Sequence, residues 1–337
     1  MDTYSHKCYT RIIMTNQKPK ILTIGKTVQD VFLTSDEFDP HTEGDMVYTH
    51  LPLGIKMEVS GVTFDTGGNP GNVAATLARQ GLEVDYMWTL GDDPASETIV
   101  RVLDQEGVST RLVTHDPKYQ AGYSTILIAT NGERTILNHR GISTGPDGKD
   151  LDLDAMGDFD WVYPSSLALG GLELLDKIVA KAKSVGTKVM LNPAGPELAE
   201  PSKLKAILED VDILCVNKEE MQKLVEGESM EELVRHGLNL VPVVIVSDGP
   251  NGVMASDGKT IVSAGMYEDV KVVDRTGAGD AFASGFLSQW AQGASLKDSI
   301  VFGSANSTSV VTRIGAKTGI LRQGVKLHDM PLTEKPV

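Results

Sequence analysis

Four consecutive residues, Gly277-Ala278-Gly279-Asp280, are the part of this chain best suited to chemistry. Before them stand Val270, Val272 and Val273, whose β-branching suits the end of a strand. After them Ala281, Ala283, Phe286, Leu287 and Trp290 fit one buried helix face. A glycine turn that opens a helix leaves backbone N–H groups unpaired, with the positive end of the helix dipole behind them, and so makes an anion site. A loop built only to hold phosphate gains nothing from a carboxylate at that spot. The combination makes sense where a hydroxyl attacks a phosphoryl group: the N–H groups take the oxyanion and Asp280 takes the proton. An aspartate in a first helical turn is also common for structural reasons alone.

Other polar residues stand at similar places. Thr66-Gly67-Gly68-Asn69-Pro70-Gly71-Asn72 is a second glycine-rich helix entry. Its paired glycines permit close backbone approach, and Asn69 and Asn72 either cap the helix or meet a ligand. Asp30 follows the first expected strand, Ile21–Gly25, where open α/β sheets place ligands, or is simply a turn residue. Gly25-Lys26-Thr27 is not a nucleotide loop, because the position five before Gly25 is Lys20 rather than glycine. Asn192 ends one expected strand and Asn217 another. Asn217 and Glu220, three apart, share a side of a helix start, either as oxygens beside phosphate and Mg²⁺ or as a capping box. Ser247 ends the next strand, and the turn through Gly249 and Gly252 offers bare backbone to a nucleotide. Asn306 lies in the last helix, Leu296–Val311, which with the turn Arg313–Gly319 walls a base pocket or packs.

The whole chain bounds these readings. Its 337 residues are 41% apolar, ample for a large core, and its net charge of −15 argues against nucleic acid and anionic membranes as partners. Two distant cysteines, Cys8 and Cys215, suit a reducing, cytoplasmic compartment without a disulfide framework. No apolar run approaches membrane-span length.

From about residue 150 onward, apolar runs at Trp161–Tyr163, Lys188–Leu191, Val211–Val216 and Val243–Val246 alternate with helical stretches, which implies a parallel sheet covered on both faces. Helices are expected at Leu172–Lys183, Lys203–Glu209 and Lys218–Gly237, the last broken near Gly227. Two stretches break the alternation, at about 33–65 and 115–140; the second holds the hairpin signal Asn131-Gly132. They are expected to pair as a small β-sheet lid. Residues 1–20, with four Lys and Arg against Asp2, are expected to be a disordered tail, with Met14 as an alternative start of translation. The main domain is expected over 21–325 and a C-terminal tail over 326–337.

Taken together, four stretches resemble the signatures of the ribokinase-like, or PfkB, carbohydrate kinases. The stretch Val272–Phe286 resembles their second signature and Gly67–Ala74 their first; Asn217-Lys218-Glu219-Glu220 resembles their Asn-x-x-Glu element and Gly249-Pro250-Asn251-Gly252 their Gly-x-x-Gly turn. The resemblance implies an α/β fold with a large, mostly parallel central sheet, helices on both faces and a β lid. It implies ATP- and Mg²⁺-dependent phosphorylation of a hydroxyl, with Asp280 as base and Gly277, Ala278 and Gly279 as anion hole. Asp30, Gly67, Gly68, Asn69 and Asn72 would hold substrate. Asn192, Asn217, Ser247, Gly249, Gly252, Thr276 and Asn306 would surround ATP, and Glu220 would hold Mg²⁺ through water. Asp274, with the turn near Gly315, matches a monovalent-cation (K⁺) region.

Relatives that act on sugar phosphates often carry Lys at the place of Asn69, which points to a free monosaccharide. Arg140, near the lid junction, points instead to an acidic or phosphorylated sugar. A nucleoside is the alternative acceptor, with Phe64, Tyr123 or Trp161 as stacking partners, and a catalytically silent sugar or nucleotide sensor is the alternative class. A dinucleotide enzyme would need glycine where Phe282 stands. An exposed lid would let two copies pair.

Overall fold

The computed structural model describes residues 18–44, 46–167 and 170–337. The tail expected over residues 1–20, including Met14, lies almost wholly outside the described residues. Nine strands form the main sheet, in the order Glu83–Met87, Lys20–Ile24, Trp161–Pro164, Lys188–Leu191, Ile213–Asn217, Val243–Ser247, Val253–Ser256, Thr260–Ala264 and Leu332–Pro336. The first six run parallel and the last three add antiparallel. Strands buried on both faces read as continuous apolar runs, which is why Ile213–Val216 and Val243–Val246 stand out in the sequence. The helices Gly171–Val185, Pro201–Leu208, Lys218–Leu224 and Met230–Gly237 lie where the periodicity places them, with the break between the last two.

The second sheet has four strands, ordered Arg134–His139, Gly122–Ile128, Val28–Thr34 and Gly61–Gly67. Its register aligns Asp65, Asp30, Ser124 and Asn138 in one row across all four strands. Asp30 therefore lies inside a lid strand, not in a turn after the first strand of the main sheet. Gly67 allows this, since a Cβ there would come within 2.0 Å of Asp30 Oδ2. The opposite face of the lid presents Val62, Phe64, Tyr123 and Leu137 to solvent. A separate hairpin, Pro40–Glu43 with Met46–Thr49, also falls within the first insert.

Two local expectations differ from the structure. Val272 and Val273 do not end a strand; they are about half exposed in an irregular segment that runs from residue 265 to the helix at Ala278. β-branching alone does not make a strand where no neighbour pairs with it. The C-terminal segment is not a free tail, because Leu332–Pro336 pairs antiparallel with Thr260–Ala264. Its short, charged sequence ending in proline suits a sheet edge rather than a core strand. No described helix is long and apolar enough to cross a membrane.

Candidate active site

The helix Ala278–Trp290 begins at Gly277, whose φ is 76°. A Cβ on Gly277 would lie 2.4 Å from Ala316 Cβ, so the turn needs glycine for both conformation and space. The N–H groups of Gly279 and Asp280 have no acceptor among the described residues, whereas Ala278 N reaches Arg275 O at 3.3 Å. Two first-turn donors are thus left free, as an anion site requires.

Asp280 sits at this helix start with its carboxylate held by the facing helix Asn69–Arg79. Asn69 Nδ2 donates to Oδ1 and Asn72 Nδ2 to Oδ2, both at 2.8 Å. Neither asparagine caps its own helix, whose first residue follows Gly68 without a side-chain cap. The helices approach closely because Ala75 and Ala281 meet with Val310 and Ile320 in a small buried cluster. Asn69 Nδ2 also reaches Asn192 Oδ1 at 3.2 Å, and Asn192 Nδ2 donates to Cys215 O. Asn192 is therefore part of the polar network behind Asp280. Burial pushes the Asp280 carboxyl up from its ordinary value, against the Asn72 hydrogen bond and the charge of Lys317.

Asp30 faces the same region from the lid. Burial, chiefly, raises its pKa from 3.8 to about 6; the Ser124 hydroxyl and Lys317 oppose the shift and Asp65 adds to it. Lys317 carries no signal in the sequence. It is buried, its ammonium meets Asp65 Oδ1 at 2.8 Å and donates to Thr66 O, and so it ties the lid to the turn beside the anion site. Arg79 holds the same turn from the other side, donating to Lys317 O at 2.7 Å.

The nucleotide candidates divide. Ser247, Gly249, Gly252, Ala278 and Gly279 line one cavity of about 170 Å³, together with Tyr267. Asn306 does not reach it. Its amide is fully buried, donating to Ala281 O and accepting from Leu321 N, so it braces the last two helices. The Thr276 N–H and hydroxyl both turn to Asp274 Oδ1, at 2.9 and 2.7 Å. Asn217 and Glu220 form a capping box, each side chain accepting the other's backbone N–H at 2.9 Å.

The metal candidates fit unequally. Among the described residues no group of three or more His, Cys, Asp or Glu could hold a metal ion. Glu220 keeps Oε1 outside the cap, which suits an ion held mostly by phosphate oxygens and water. Asp274 does not fit a monovalent cation. Its carboxylate already accepts from Thr276 twice and from Gly315 N at 3.0 Å, and it pairs with Arg134 of the lid at 3.3 Å.

Gly68 and Arg140 line a larger cavity, about 600 Å³, between lid and main sheet. The three aromatics do not converge on it: Trp161 is buried in the core, and Phe64 and Tyr123 stand on the lid face opposite Asp30.

The profile of the pfkB family of carbohydrate kinases matches residues 18–322. A ribokinase of Haemophilus influenzae is 28% identical over 75% of this chain and 83% of its own length. An ATP-dependent ribose-1-phosphate kinase of Halopiger xanaduensis is 29% identical over 75% and 82%. Among solved structures, a putative ribokinase II of E. coli in complex with ATP and Mg²⁺ superimposes with a TM-score of 0.75 at 20% identity, over 90% of this chain and 96% of that one.

Proposed function

The chain belongs to the pfkB family of carbohydrate kinases, and on that premise we propose that it transfers the γ-phosphate of ATP to a hydroxyl of a monosaccharide, with Asp280 as general base. The observation that carries this reading is Asp280 itself: a half-buried carboxylate, oriented by two asparagine amides, beside N–H groups at a helix start that have no acceptor among the described residues. Its raised pKa makes it a better proton acceptor than an exposed aspartate. The acceptor hydroxyl donates to Asp280, and the N–H groups of Gly279 and Asp280 take charge that develops on the transferred phosphoryl oxygens.

The nucleotide would lie along Ser247, Gly249 and Gly252, the backbone-rich wall that leads to Gly279. Mg²⁺, when bound near Glu220, screens phosphate charge. The row Asp30, Ser124 and Asn138 would order the acceptor's other hydroxyls, and the lid keeps water out. The apolar outer face of the lid, with Val62, Phe64, Tyr123 and Leu137, would pair with a second copy.

The test is ADP release from ATP and Mg²⁺ over a panel of sugars, sugar acids, sugar phosphates and nucleosides, run with Asp280→Asn alongside. The variant should lose about a hundredfold or more in turnover, the scale of general-base catalysis, with nucleotide binding kept. Near-normal turnover would remove Asp280 from the role. Preferred turnover of a nucleoside would replace the sugar.

A further inference from the structure

The 600 Å³ cavity between lid and main sheet is unusual in its charge. The chain as a whole carries fifteen more acidic than basic side chains, so carboxylates outnumber the cations they could pair with. Lys26 and Arg140 both line this cavity, and among the described residues neither side chain is paired with a carboxylate. The Lys26 ammonium instead donates to the Arg140 carbonyl oxygen, crossing from the main sheet to the lid. One such bond leaves two of its N–H groups over, and among the described residues the Arg140 guanidinium has no partner for any of its five. Burial, and then the Arg140 charge, press the Lys26 pKa down, the mark of a cation in a half-dry site beside a like charge. The cavity's one carboxylate, Glu197, does not answer them, since its Oε2 accepts from Ala194 N at its own helix start.

Both cations line the cavity that borders the helix entry holding Asp280. Gly68 lines the same cavity, and the next residue, Asn69, holds Asp280. Ser124 and Asn138, from the polar lid row, line it too. A ligand whose hydroxyl reaches Asp280 and whose other hydroxyls meet that row has its far end toward Lys26 and Arg140. We infer that the acceptor carries an anionic group, a phosphate or a carboxylate, seated between Lys26 and Arg140. The inference rests on the kinase reading above and narrows its substrate to a sugar phosphate or sugar acid.

It also answers the argument from Asn69. The Asn69 amide is committed to Asp280 and Asn192, so a cation for the acceptor cannot come from that helix position. It comes from the adjoining loop, where the Lys26 carbonyl lies within 2.6 Å of the place a Cβ on Gly68 would take.

The experiment pairs neutral and anionic acceptors at saturating ATP and Mg²⁺: ribose against ribose 1-phosphate and ribose 5-phosphate, and fructose against 2-keto-3-deoxygluconate. The anionic member should win by at least about tenfold in kcat/KM. Whether the winning arm is a phosphate or the sugar acid decides the group. Arg140→Gln, on an exposed lid edge, should raise KM for that acceptor about tenfold or more and leave KM for ATP within about twofold; Lys26→Gln should act in the same direction. Preference for the neutral sugars, or an unchanged acceptor KM in Arg140→Gln, overturns the anionic site while the kinase reading stands. No turnover of any acceptor, sugars and nucleosides included, overturns both.

Discussion

Asp30→Asn should make the protein more stable and a worse enzyme, and the size of the first effect follows from the lid. The Asp30 pKa stands at about 6 instead of 3.8, chiefly because burial disfavours the charged form. The folded protein therefore keeps a proton that the unfolded chain releases between those two values. Stability falls as pH rises through that window, and the penalty is complete above it. Linkage puts it at about 1 kcal/mol near about pH 4.5 and about 3 kcal/mol near about pH 7.5. Asparagine is close in shape, can still accept from the Ser124 hydroxyl, and carries no charge to desolvate. Urea denaturation of both proteins should show the variant more stable by up to about 3 kcal/mol near pH 7.5, with the gap shrinking to about 1 kcal/mol near pH 4.5. Its KM for the acceptor should rise about tenfold or more, as expected for a lost charged hydrogen bond. A stability gap that does not change with pH would show that Asp30 is not a desolvated carboxylate. An unchanged acceptor KM would show that it does not meet the substrate.

Three further perturbations test other parts of the site. Gly277→Ala forces a side chain onto a φ of 76° and against Ala316, and should cost about 1–3 kcal/mol in a denaturation curve with turnover falling sharply; wild-type stability would refute the packing argument. Lys317→Met leaves Asp65 without its buried partner and should cost about 3–5 kcal/mol, most of it restored in the double variant Lys317→Met/Asp65→Leu. Because Lys317 lowers the pKa of both Asp30 and Asp280, Lys317→Met should also move the acidic limb of the kcat/KM profile to higher pH, and an unmoved limb would place the lysine too far away to matter. Phe64→Glu with Leu137→Glu should convert a dimer to a monomer in sedimentation, and a monomeric parent protein would dismiss the lid pairing.

How much of this was legible in the sequence depended on the range of the signal. The parallel half of the main sheet could be read because strands buried on both faces leave unbroken apolar runs, and the helices between them leave a 3.6-residue period. The Asn217–Glu220 capping box could be read because its partners are three residues apart. Gly277–Asp280 could be read as an anion loop from local turn chemistry alone. What could not be read was pairing across the chain. Asn192 and Asn306 sit at strand-end and helix positions that suit ligand contact, yet their amides are used by Cys215 and by Ala281 with Leu321. Asp30 reads locally as either a ligand contact or a turn residue, because nothing local shows that Ser124 and Asp65 flank it in a sheet.

The same limit applies to the substrate, on which two cations distant in the sequence bear together. Arg140 alone was ambiguous, since an exposed arginine on a flap is usually solvated. Lys26 alone was dismissed with the nucleotide loop it does not form. Their meaning lies in the separation of 114 positions, which the fold closes into one bond from the Lys26 ammonium to the Arg140 carbonyl. In a strongly acidic chain, two adjacent cations without a carboxylate cost free energy in the empty protein, because each raises the cost of charging the other. An anionic acceptor would lower that cost on binding, so its charge would contribute to affinity as well as to selection against neutral sugars. This yields a signature that hydroxyl recognition does not share. The acceptor KM of the wild-type protein should rise with ionic strength, and that slope should flatten in Arg140→Gln, whereas KM values governed by Asp30, Ser124 and Asn138 alone would be insensitive to salt.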